Sequence, residues 1–90
     1  MNQNNMNIIE IRNEKENILT LEIKEFKEWI KNLCSTYTAN EYDEEKFIGI
    51  CVKDIQLVGH YKTWNYYTDL TKESRNTIEN AIKEYYKRIL

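Results

Sequence analysis

The chain has 90 residues, 13 basic against 15 acidic, a net charge of -2 and a pI near 5.4. Its length suits one domain, expected over residues 7–90 behind a frayed 1–6, and its charge excludes the strongly basic footprint of a general nucleic-acid binder. "MNQNNMN" lacks the basic start and apolar run of a secretory signal, and no stretch approaches the roughly 20 apolar residues of a membrane span, so a cytoplasmic protein without membrane contact is expected.

A core of this size only narrowly outweighs chain entropy, so folding has first claim on every large apolar side chain. The first such group is "NIIEIR" at 7–12, β-branched and short, followed after a polar break by "ILTLEI". The pattern predicts strands over 7–12 and 17–20 paired as a hairpin, although the connection carries neither Asn-Gly nor Asp-Gly.

From Leu21 the period changes. Ile23, Phe26, Ile30 and Leu33 recur at helical spacing with Trp29 and Cys34 beside them, which predicts an amphipathic helix over 21–35. Lys24, Lys27 and Lys31 fall together on the face opposite this apolar stripe. They read as a solvated face or, alternatively, as a phosphate-binding stripe interrupted by Glu28.

Residues 35–45 hold the densest group of acids, Glu41, Asp43, Glu44 and Glu45. The segment reads as a loop, with a helix opening on Asn40 as N-cap, Asp43 three residues on, as the other solution. "KFIGICV" after it is β-branched with Gly49 inside, so a strand over 46–52 is expected, the acids lying at its mouth.

The next segment packs Tyr61, Trp64, Tyr66 and Tyr67 into seven positions, in a chain that is 12% aromatic. An AT-rich coding sequence enriches Tyr by itself, so the count carries little. As a helix over 54–68, Leu57, Val58, Tyr61 and Trp64 gather inward, while His60, Tyr66 and Tyr67 are left outward. Gly59 costs such a helix about 1 kcal/mol, and a hairpin of 47–52 with 55–62 is the alternative. The last element is a helix over 72–89, with Thr71 as N-cap, an apolar stripe of Ile78, Ala81, Ile82, Tyr85 and Ile89, and Lys87 and Arg88 at its end. Together these give a small α+β domain; a mostly α-helical chain with one hairpin is the alternative.

No glycine-rich phosphate loop can form from Gly49 and Gly59, and the single histidine has no partners at metal-ligand spacing. Cys34 and Cys51 read as two buried thiols, with a disulfide as the minority view. No catalytic residue, metal or cofactor is expected. The expected function is a non-enzymatic protein-binding module, in the style of a phage or mobile-element inhibitor of a host nucleic-acid-handling or defence protein. Its contact residues would be Glu41, Asp43, Glu44, Glu45, His60, Tyr66, Tyr67 and Asp69, against a basic protein surface. A nucleic-acid-associated regulator using Lys24, Lys27 and Lys31 is the second reading, although the charge makes nucleic acid the less favoured partner. A homodimer through the last helix is the third.

Overall fold

A computed structural model describes residues 7–15, 18–53, 55–59 and 62–89, without the side chains of 56–59, 62 and 63. The expectations for residues 1–6, His60 and Tyr61 fall outside these. Among the described residues the order of elements is β1 (Ile8–Arg12), β2 (Ile18–Glu22), α1 (Ile23–Cys34), a 3-10 turn (Ala39–Glu41), α2 (Glu44–Lys53), β3 (Gln56–Gly59), β4 (Lys62–Asn65) and α3 (Lys72–Ile89). The chain is α+β, as its patterning predicts.

β1 and β2 pair antiparallel, with Ile9 opposite Leu21 and Ile11 opposite Leu19. This register puts all four on one face, where Ile11 is fully buried and the other three pack against the core. Glu10 and Arg12 share the outer face and pair at 2.6 Å. Past β1 the chain is tied to the start of α3. The Arg12 amide donates to Ser74 Oγ at 2.7 Å, the Thr71 amide to the Arg12 carbonyl at 3.0 Å and the Glu14 amide to the Asp69 carbonyl at 2.8 Å.

α1 follows β2 without a loop. Glu25 accepts the Glu22 amide at 3.3 Å, which caps the turn of chain into the helix. Phe26, Ile30 and Cys34 are its buried face. α3 starts where Thr71 Oγ1 accepts the Ser74 amide at 3.2 Å, so Thr71 is its N-cap. Ile78 and Ile82 are fully buried on its inner face, and both α1 and α2 pack against it.

Two elements correct the expectation. Residues 46–52 lie within helix α2 rather than a strand. Asp43 Oδ1 accepts the Lys46 amide at 2.8 Å, Glu44 and Glu45 occupy the first turn and Lys53 the last, so capping and dipole favour a helix despite the β-branched run. Phe47 and Cys51 then stack one turn apart on its buried side, with Val52 next to them. The described residues of 54–68 do not form a helix: Gln56–Gly59 pairs antiparallel with Lys62–Asn65, Leu57 opposite Trp64, and not with 47–52, which is helical. Nothing in this arrangement leaves Gly59 inside a helix.

Cys34 and Cys51 bridge the buried ends of α1 and α2. Both are fully buried and neither is in a disulfide, and the Cys51 thiol lies 3.8 Å from the Cys34 sulfur. That hydrogen bond and burial push the Cys34 thiol well above its ordinary value of 9.0. A thiol held in its protonated form is a poor nucleophile. Among the described residues no helix is long and apolar enough to cross a membrane.

Candidate functional site

The aromatic segment ends in a turn whose geometry is set by two side chains. Asn65 Oδ1 accepts the amides of Tyr67 at 2.9 Å and Thr68 at 3.0 Å, and Asp69 Oδ2 accepts the amide of Asn65 at 2.6 Å. Arg75, on α3, donates to the Leu70 carbonyl at 2.8 Å and reaches the Tyr67 carbonyl at 3.4 Å. The backbone of the turn is thereby held by side chains of the turn itself and of α3.

The turn separates two neighbouring tyrosines. Tyr66 is 2% exposed, a correction to its expected outward position, and its hydroxyl donates to Glu79 Oε2 at 2.7 Å and lies 3.1 Å from the Arg75 carbonyl oxygen. Burial and the Glu79 carboxylate hold its phenol well above the ordinary value of 10.0. Tyr67 is 60% exposed and stands edge-on to Tyr66, with ring centroids 5.1 Å apart. Trp64 is buried in the core, as expected.

The acids sit at the start of α2. Glu41, Asp43 and Glu45 are exposed and Glu44 is half-buried. Asp43 is occupied as the helix cap, whereas among the described residues none of the four forms an ion pair. Tyr42 in their midst is half-buried, and the Tyr86 hydroxyl of α3 donates to its carbonyl at 2.7 Å.

Helical phase relates the two groups. At about 100° per residue, Arg75 and Glu79, which hold the aromatic turn, share one side of α3 with Tyr86, which holds the acidic segment. The α3 residues that hold the turn and the acidic segment thus lie on one side of that helix, about 10 to 16 Å apart along its axis. Of the residues expected to meet a partner, Glu41, Glu45 and Tyr67 stand free, with Glu44 partly so. Asp43 and Asp69 have structural hydrogen bonds as well, and Tyr66 is internal. Asn65, Arg75 and Tyr42 escaped the sequence reading. The Asn65 to Asp69 spacing across an aromatic turn was the available signal.

A second concave feature lies on the other side of α3. A groove of about 610 Å³ runs between α1 and α3, floored by Ile23, Ala81 and Tyr85 over the buried Phe26 and Ile30. Lys24, Lys27, Lys31 and Arg88 line it, accompanied by Glu28 and Glu84. The three lysines thus stand at the shoulder of α1 beside its partner helix and not on the face opposite the apolar stripe.

Among the described residues, no three His, Cys, Asp or Glu side chains converge as a metal site. No protein-family model, curated protein or solved structure matches the chain.

Proposed function

We propose that the protein is a non-enzymatic binding module that engages a basic protein surface through Tyr67 and the acids Glu41, Glu44 and Glu45. The observation that carries this reading is the 60% exposure of Tyr67 on a turn fixed by the Asn65 and Asp69 side chains. An aromatic held ready on a rigid turn loses little entropy on binding and contributes a large contact area. The acids, whose segment is held from the same side of α3 as the turn, supply complementarity toward a basic patch and lack ion-pair partners of their own among the described residues. An inhibitor that covers the basic groove of a nucleic-acid-handling protein is the form this activity would take.

The test is quantitative affinity capture from the source cells with the intact chain and with Tyr67→Ala plus Glu45→Lys. A single partner retained by the intact chain and reduced at least about tenfold by the double variant is expected. Equal recovery on both, with both proteins folded by circular dichroism, would remove this surface as the contact. Recovery of nucleic acid in place of protein would transfer the role to the lysines.

A further inference from the structure

We infer that the groove between α1 and α3 is a docking site for an acidic amphipathic helix of a partner protein, distinct from the Tyr67 face. Its position follows from helical phase. Thr77, Ala81, Glu84 and Arg88 line the groove, and at about 100° per residue they lie nearly opposite Arg75, Glu79 and Tyr86. One helix therefore separates two surfaces of different chemistry.

The groove has the dimensions of a helix. Ile23 to Lys31 on α1 and Thr77 to Arg88 on α3 form its two walls, about 12 and 17 Å long at 1.5 Å per residue, which accommodates two to three helical turns. Ile23, Ala81 and Tyr85 are half-buried, so the floor presents carbon that a partner's apolar stripe would cover. Small Ala81 in the floor allows close approach of another helix.

The charges name the partner. Lys24, Lys27, Lys31 and Arg88 outnumber Glu28 and Glu84, and among the described residues none of these four cations has an ion-pair partner. An apolar stripe flanked by Glu or Asp would satisfy floor and rim together. A nucleic acid would use the rim but leave the floor uncovered. Tyr85, the one aromatic in that half-buried floor, already has a ring face stacked on Phe47, with centroids 6.5 Å apart and planes 7° from parallel.

Fluorescence anisotropy of the intact protein with a labelled synthetic helix of about four turns, carrying Leu on one face and Glu along both flanks, tests the inference. The controls are a scrambled peptide of the same composition and a single-stranded oligonucleotide of equal charge. Saturable binding of the amphipathic peptide is expected, at least about tenfold tighter than the scramble, and weakened about tenfold by Lys27→Glu with Lys31→Glu, two exposed positions whose change leaves the core alone. Tyr67→Ala should leave this affinity unchanged. Absence of binding up to about 1 mM, equal binding of the scramble, or tighter binding of the oligonucleotide would each overturn it. Because neither control depends on Tyr67 or the α2 acids, the outcome is separable from that of the other surface.

Discussion

Burial beside the Glu79 carboxylate makes the Tyr66 phenol hard to ionise, so this side chain couples the fold to alkaline pH. In the unfolded chain it would lose its proton near 10; in the folded chain it keeps it to higher pH. The unfolded state therefore binds fewer protons above about pH 10, and stability, fully present below that value, falls as pH rises through the window between the two. The contribution of Tyr66 to the slope is up to about 1.4 kcal/mol per pH unit. Cys34 acts in the same direction from about pH 9, since its thiol is also raised. Comparison of Tyr66→Phe with the intact protein isolates the tyrosine. At pH 7 the variant should be less stable by about 1 kcal/mol, having lost the hydroxyl's hydrogen bonds, while between pH 10 and 11 its thermal midpoint should fall less steeply. Parallel midpoints over that range would show that Tyr66 does not titrate with folding.

At the scale of elements, α2 is the informative case because local capping and residue propensity oppose each other in it. Gly49 is exposed in its interior, and a Cβ built there meets nothing within 4 Å. Gly49→Ala should therefore stabilise by about 0.5 to 1 kcal/mol, and Asp43→Ala should cost about 1 kcal/mol through the lost cap; urea unfolding reads both, and a destabilising Gly49→Ala would mean that the helix does not hold that position. The same opposition explains what could be read in advance. The helices Ile23–Cys34 and Lys72–Ile89 announce themselves because their apolar residues recur over three turns or more, and the first hairpin because alternation survives in both strands, the second of which runs on through Leu21 and Glu22 where the helix is expected to begin. "KFIGICV" is too short and too uniformly apolar for its period to tell helix from strand, and the decisive residue was Asp43, three positions before the run. The second hairpin hid because "QLVG" and "KTWN" do not alternate cleanly between polar and apolar residues. Tyr67 and the acids were legible as a candidate surface from residue type alone. Tyr66 was not, since its inward position depends on Glu79 and Arg75 arriving from α3. The groove was invisible for a related reason: the lysines of α1 are exposed, as a solvated stripe is, and give no sign of a groove beside them until the neighbouring helix is known.

Across the whole molecule, the two surfaces meet at one buried residue. Phe47 has no exposure and contacts both Tyr85, which floors the groove, and Tyr86, whose ring centroid is 5.3 Å away and whose hydroxyl holds the acidic segment through Tyr42. Residues far apart on the surface normally contribute independently, so Tyr67→Ala and Lys31→Glu should each weaken one binding event and combine additively. Phe47→Leu should behave differently. Its approximate retention of volume keeps the stability loss near 1 kcal/mol, which a domain of this length, with roughly 5 to 13 kcal/mol in hand, survives folded. The ring that orients Tyr85 and Tyr86 is nevertheless gone, and both the acidic-helix affinity and the partner capture should fall together, at a thermal midpoint still well above the assay temperature. If only one of the two responds, the surfaces are mechanically separate despite sharing α3; if neither does, the aromatic stack serves packing alone.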